Sequence, residues 1–256
     1  MRVTILGCGG SGGVPLSNGL WGACDPSNPK NRRRRPSILI QEQGLDILVD
    51  TGPDMREQLI AAGCSKLDAV LYTHPHADHI HGIDDVRALN VQAGRVIDAY
   101  GNGATLSNLE ARFSYVFSPI DHAKYGFYRP QLRAHVVESG PFEVGGLEII
   151  AFPQDHYSCV SLGFRIGGFA YSTDVVSLDE HAFATLAGVD TWVVDALRET
   201  PHPAHAHLAR TLSWIERLKP RRAILTHMNH DMDYETLHRK LPAGVEPGYD
   251  GMVIDL

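Results

Sequence analysis

Short apolar runs alternate with amphipathic stretches along this chain, and the two periods separate cleanly. Runs at 3–6, 37–40, 46–49, 67–72, 95–100, 132–138, 142–144, 147–152, 161–166, 169–172, 191–195, 222–226 and 252–256 read as strands, many of them apolar throughout. Stretches at 54–62, from Asp78 to Asn90, and at 104–113, 205–218 and 234–241 predict helices. In the second of these, Ile80, Ile83, Val86 and Leu89 recur at the three-to-four spacing of a buried helix face. Gly44, Gly145-Gly146 and Gly167-Gly168 mark hairpin turns. The stretch 114–130 is irregular and rich in Tyr and Phe. Strands and helices alternate along the whole length without a linker or low-complexity segment, which predicts a single α/β domain over 1–256.

Two of the apolar runs end alike. Ala69-Val70-Leu71-Tyr72-Thr73-His74 is echoed by Ala223-Ile224-Leu225-Thr226-His227. In layered α/β folds ligands gather beyond the carboxyl ends of strands, so the two endings predict that His74 and His227 share one rim. The first ending continues as His74-Pro75-His76-Ala77-Asp78-His79. Imidazoles and carboxylates are preferred ligands of zinc and similar divalent ions. Left without partners in the interior, each such group would cost on the order of 1–3 kcal/mol. His74 and His76 are placed to grip one ion, and Asp78 and His79 a second. The remaining ligands must come from other strand ends. His156 follows the run 147–152, Asp174 follows 169–172 and is placed late enough to bridge both ions, and His227 completes the set. A helix N-cap ahead of Leu178 is the structural alternative for Asp174.

Composition narrows the setting. Hydrophobic residues make up 43% and charged ones 21%, as in ordinary globular proteins. No apolar stretch approaches the roughly 18 residues of a membrane span, and the run at 3–6 is broken too early by Gly7 for a signal peptide. A cytoplasmic location is expected. Four cysteines without a CxxC pair suit a reducing compartment. The net charge of −7 makes a nucleic-acid partner an unfavoured expectation. Histidine is the outlier with 14 copies, most of them at 74–81, 156, 202–207 and 227–230.

With His74-x-His76-x-Asp78-His79, His156, Asp174 and His227 in this order, the chain resembles the metallo-β-lactamase superfamily. The resemblance implies a four-layered αββα sandwich with two divalent ions, zinc or manganese, on one edge. It implies that His74, His76 and His156 hold one ion, that Asp78, His79 and His227 hold the other, and that Asp174 bridges. A closer likeness is to the phosphoribosyl cyclic phosphate phosphodiesterase family. It rests on the opening Gly7-x-Gly9-Gly10-x-Gly12-Gly13-Val14-Pro15, on Ile224-Leu225-Thr226-His227-x-x-His230, and on the ending from Leu241-Pro242 to Gly251-Met252. That likeness implies hydrolysis of small phosphorylated substrates, a homodimer, and a catalytic histidine for which His205 is the matching position, with His202 and His207 as rivals. Asp78 would orient the attacking hydroxide, and His205 would protonate the leaving oxygen or stabilise the equatorial charge. The family's cysteine cluster is reduced here to Cys24, which with His230 falls short of four ligands, so no structural zinc is expected.

Other signals carry less. Gly7-x-Gly9-x-x-Gly12 follows a strand but lacks the helix and the later acidic residue of a dinucleotide site. Arg32-Arg33-Arg34-Arg35 reads first as a solvated charge run, and secondly as a source of one or two phosphate-binding arginines. Tyr115, Phe117, Tyr125, Phe127 and Tyr128 read as loop or subunit packing before base stacking. Three alternatives to a small-molecule phosphodiesterase remain: an RNA-processing nuclease of the RNase Z type, a non-hydrolytic metal-binding accessory protein of cofactor biosynthesis, and a thioester or lactone hydrolase.

Overall fold

A computed structural model describes residues 1–256. The strands are β1 (Arg2–Gly7), β2 (Ser37–Glu42), β3 (Leu45–Val49), β4 (Ala69–Leu71), β5 (Ile97–Gly101), β6 (Leu132–Val136), β7 (Gly140–Val144), β8 (Leu147–His156), β9 (Cys159–Ile166), β10 (Phe169–Ser172), β11 (Thr191–Asp195), β12 (Arg222–Thr226), β13 (Val245–Pro247) and β14 (Val253–Asp255). They form two seven-stranded sheets, ordered β14-β1-β2-β3-β4-β5-β6 and β13-β12-β11-β10-β9-β8-β7. The helices are α1 (Met55–Ala61), α2 (Ala77–Ile80), α3 (Val86–Ala93), α4 (Gly103–Arg112), α5 (Ser114–Phe117), α6 (His122–Tyr125), α7 (Glu180–Leu186), α8 (Leu208–Leu218) and α9 (Tyr234–Lys240).

Burial explains the layering. Val3, Ile5, Ile38, Ile40, Ile47 and Val49 of the first sheet share one core with Phe152, Phe164, Tyr171, Trp192 and Ile224 of the second. The alternate residues Leu6, Leu39, Leu48 and Val70 turn to the other face and pack with Met55, Leu59, Val86, Leu106 and Leu109 of the helices. The period of two along β1 to β4 therefore feeds two separate interiors. Leu186, Trp214, Ile215 and Leu237 bring α7, α8 and α9 onto the second sheet. The architecture is the expected α/β sandwich with helices outside two central sheets.

Within each sheet one half is parallel. β3 to β6 run parallel in one, and β10 to β13 in the other. Their carboxyl ends therefore open on the same edge of the sandwich. The helix expected from Asp78 to Asn90 is interrupted: α2 ends at Ile80, a 3-10 turn covers Ile83–Asp85, and α3 begins at Val86. Gly82 donates to the Thr51 carbonyl in the break and lies where a Cβ would strike Gly52. The apolar spacing survives the break because both pieces face the same interior. No helix is long and apolar enough to cross a membrane.

Candidate metal centre

Each candidate ligand leaves the end of a strand or the turn beyond it. β4 runs through Tyr72 and Thr73 into His74, and α2 carries Asp78 and His79. β10 leads to Asp174, and β12 to His227. His156 was expected beyond its strand but is the last residue of β8, because the hairpin pairing continues to His156↔Cys159. Asp174 caps no helix; the following helix, α7, is capped by Asp179. Asp174 and His227 hold left-handed backbone conformations, φ 54° and 57°, as does Asp50 beyond β3 at 65°. Non-glycine residues there store strain, a recurrent feature of functional sites.

All seven side chains converge. The nitrogens of His74, His76 and His156 form one group, and the donor atoms of Asp78, His79, Asp174 and His227 form another, each within 4.8 Å. Asp174 lies between them. Its Oδ1 is 3.7 Å from His74 Nε2, 3.6 Å from His156 Nε2 and 3.3 Å from His227 Nε2, while its Oδ2 is 3.1 Å from His79 Nε2. Asp78 Oδ2 is 3.3 Å from His79 Nε2 and 3.6 Å from His227 Nε2.

These contacts do not make a satisfied hydrogen-bond network. His79 gives its Nδ1 side to Asp50, and His74 gives its own to Thr73, so the Nε2 lone pairs face carboxylate oxygens. His74 Nε2, His79 Nε2 and both ring nitrogens of His227 are buried without a hydrogen-bond partner. Lone pairs aimed at carboxylates in the interior repel one another unless positive charge lies between them. The titration pattern carries the same demand. Burial pulls His79 down, yet Asp174, Asp78 and Asp50 hold it well above its ordinary value. Burial likewise opposes His227, but Asp174, Asp78 and Asp195 push it up to about 9. Burial tends to raise Asp78, but His79 and His227 hold it below the usual carboxylate range. His74, away from the Asp78 side, falls well below its ordinary value through burial and the neighbouring histidines. The donor set and its unsatisfied nitrogens fit divalent cations.

Outside this ring sit groups that the sequence pattern did not single out. Asp50, fully buried, accepts from the Thr73 amide at 2.8 Å, from the Thr73 hydroxyl at 2.7 Å, and from His79 Nδ1 at 2.7 Å. His156 Nδ1 donates to the Ala204 carbonyl at 2.7 Å. Asp195, at the end of β11, is 3.1 Å from His205 Nδ1. Such partners fix which imidazole nitrogen faces inward. A signal was present in the sequence: Asp50 and Asp195 each terminate an apolar strand, as Asp174 nearly does.

Among the three histidines before α8, His205 is the one placed over the cluster. Its Nδ1 is 3.8 Å from Asp174 Oδ1, and its ring stacks on His227 with centroids 4.6 Å apart. His202 stands behind it at 5.1 Å, and its Nδ1 accepts from the Ala204 amide. His207 is the residue preceding α8.

The arginine run is not a uniformly solvated face. Arg33 is only 2% exposed. Its guanidinium donates to the carbonyls of Met232 at 2.6 Å and Asn229 at 3.1 Å, and lies 3.7 Å from Cys24 Sγ. Cys24 and His230 are thus both in this region, His230 against Gly22. Arg32 lies over the Trp21 ring, Arg34 pairs with Asp250, and Arg35 with Asp54. Four consecutive arginines have four different surroundings because the loop ahead of β2 runs between the 229–232 segment, Asp250 and Asp54.

Comparison with known proteins gives concordant likenesses. A family described as a beta-lactamase superfamily domain matches residues 46–228. A solved diphosphatase from the PhnP family is 36% identical with a TM-score of 0.89, covering 100% of this chain and 97% of that one. An octanoyltransferase of Porphyromonas gingivalis is 30% identical over 256 residues, 98% of this chain and 51% of that protein. A ribonuclease Z of Bradyrhizobium diazoefficiens is 30% identical over 146 residues, 54% of this chain and 46% of that protein. The chain spans about half the length of these two curated relatives.

Proposed function

We infer the activity from a plain premise: this chain belongs to the beta-lactamase superfamily and, within it, to the PhnP family. We propose that it hydrolyses small phosphodiesters, cyclic phosphates among them, with two divalent cations, zinc or manganese. The observation that supports this most is the convergence of seven ligand side chains in two groups around one buried carboxylate, Asp174. His74, His76 and His156 would hold one cation, and Asp78, His79 and His227 the other, with Asp174 between. When bound, such a pair lowers the pKa of water toward neutrality and neutralises charge on a phosphoryl oxygen.

The chain's own residues supply the rest. Asp50, Thr73 and the Ala204 carbonyl hold three ligand histidines by their outer nitrogens, so the inner nitrogens stay free to bind. Asp78 orients the attacking oxygen. Asp195 takes the Nδ1 side of His205 and leaves its Nε2 for the leaving oxygen. A histidine held on one nitrogen by a carboxylate and open on the other is built to give a proton in a fixed direction.

The test pairs metal analysis of the purified protein with turnover on cyclic ribose phosphates, bis(p-nitrophenyl) phosphate and a tRNA precursor. The expected result is about two cations per chain and cleavage of the small diesters. A second reading, RNA processing, draws on the ribonuclease Z likeness. The chain's net charge of −7 suits a polyanionic partner poorly. Cleavage of the precursor alone would replace the first reading with the second. A loaded protein that binds phosphodiesters and cleaves none would be an accessory protein.

A further inference from the structure

The helix-bearing face of the first sheet carries a cavity of about 520 Å³ where β14, β1 and β2 meet α1. Arg2 and Thr4 stand two residues apart on β1, with Gln41 of β2 opposite Arg2 and Val253 of β14 opposite Thr4. Their side chains therefore share one face. Ala61 and Ala62 form the α1 side, and side chains this small keep the space open. Arg34 and Asp250 close the end toward the glycine-rich loop, where Asp250 accepts from the Cys8 amide at 3.2 Å and from the Arg34 amide at 2.8 Å. None of the seven metal-ligand candidates lines this cavity.

Two polar atoms of its lining are buried and bonded to nothing. Gln58, 1% exposed, donates through Nε2 to the Arg35 carbonyl at 2.8 Å, which orients the amide and leaves its Oε1 without a donor. Arg34 Nε lies 3.5 Å from the Asp250 carboxylate, and its Nη1 is left without an acceptor. Unmet groups of this kind cost about 1–3 kcal/mol each in the interior. A ligand that satisfies both must accept from a guanidinium and donate to an amide oxygen. An oxyanion with a nearby hydroxyl does both.

Charge and size narrow the choice. The charged side chains of the lining are Arg2, Arg34 and Asp250, two cations against one anion. Asp250 is already engaged by the Cys8 and Arg34 amides, so a cationic ligand finds no free carboxylate. A single water, with about 30 Å³ of liquid volume, fills little of this space. The volume falls instead within the range of small-molecule pockets, about 300–1,000 Å³.

We propose that this cavity is a second ligand site, for a small oxyanion that carries a hydroxyl: a hydroxycarboxylate or a polyol phosphate. Arg34, with Arg2 beside it, holds the oxyanion, and Gln58 Oε1 accepts from the hydroxyl. The site does not depend on the hydrolytic reading, because it lies on the outer face of the sheet and the metal ligands lie on the rim.

The test is hydrogen–deuterium exchange on the metal-loaded protein, titrated with D-glycerate, glycerol 3-phosphate, inorganic phosphate and glycerol. D-glycerate or glycerol 3-phosphate should slow exchange in segments 2–6 and 55–62, with a midpoint at least about tenfold below those of inorganic phosphate and glycerol. The tighter of the two identifies the anion as carboxylate or phosphate. Arg34→Gln should raise the midpoint about tenfold or more, and Gln58→Met should cancel the advantage over inorganic phosphate. Where circular dichroism shows Arg34→Gln unfolded, Ala62→Leu, which narrows the cavity, must weaken binding as much. No protection by either probe up to about 20 mM overturns the proposal. So does protection confined to segment 73–81 at the metal centre, or protection that survives the variants. Inorganic phosphate matching the better probe would mean an adventitious anion only, and overturns it as well.

Discussion

Replacing Arg33 by methionine should remove about 3–5 kcal/mol of stability. The guanidinium is buried and bonds two carbonyls of the 229–232 segment, Met232 at 2.6 Å and Asn229 at 3.1 Å. It approaches Asn31 Oδ1 at 3.4 Å, and Asn31 in turn bonds Asp233 and the Tyr234 amide. Hydrogen bonds from a charged group contribute about 1.5–3 kcal/mol each. Without the guanidinium, the Met232 carbonyl has no other donor within the protein. Methionine fills much of the volume and escapes the desolvation cost of a buried charge, which brings the loss toward the lower end of that range. Urea unfolding should show a lower midpoint at unchanged m-value, and thermal unfolding a drop of about 6–15 °C for a chain of this size. Arg33→Lys should recover less than half, since one ammonium cannot reproduce a planar fork serving two carbonyls. A loss below about 1 kcal/mol for Arg33→Met would mean that desolvation cancels the bonds, and would refute a cross-linking role for Arg33.

Four further outcomes follow from the same geometry. Asp50→Asn should weaken metal affinity about 10- to 100-fold, measured by chelator competition, because His79 loses its carboxylate anchor. Asp195→Asn should lower kcat about 10²- to 10⁴-fold with metal content retained, as His205 loses the partner of its Nδ1. Asp233→Ala should cost about 1 kcal/mol at pH 7, because Asp233 caps α9 through the Thr236 amide. Hydrogen bonds from Thr236, Asn31 and Asp25, outweighing partial burial, lower this carboxyl from 3.8 to about 2; a depressed carboxylate stabilises above its unfolded value, so the difference between parent and variant should be full above about pH 5 and shrink as pH falls toward 2. After chelation, Asp174→Gly should be more stable than Asp174→Ala by about 0.5–1 kcal/mol, since glycine alone accepts φ 54° without strain; equal stabilities in urea would show that no strain is stored there.

Strands and ligands were legible in the sequence because each announces itself locally. An apolar run followed by Thr-His is visible at 69–74 and again at 223–227, and the structure sets both endings on one rim. What stayed hidden depends on contacts across long separations. Asp50 meets His79 and Asp195 meets His205 only after parallel strands are laid side by side. β13 is a three-residue strand, Val245–Pro247, whose pairing with β12 defines it better than its composition does. Arg33 defeated the charge-run reading because a guanidinium accepts burial when carbonyls surround it, and those carbonyls come from 196 and 199 residues away. Periodicity shows which face a residue turns inward, but not what waits there.

The hidden groups and the strained ones belong to one arrangement. Asp50, Asp174 and His227 each turn left-handed immediately beyond a parallel strand, where continuing extended would carry the side chain past the rim. Each such turn costs about 1–3 kcal/mol in a non-glycine residue, and each also buries a polar group that apolar packing would not reward. The compensation must come from what the turned side chains jointly hold. Cations drawn to Asp174 and the unpaired imidazole nitrogens are the interaction strong enough to offset both. A fold that accepts strain at three strand ends and orphaned nitrogens between them is shaped around a charge that the polypeptide itself does not contain.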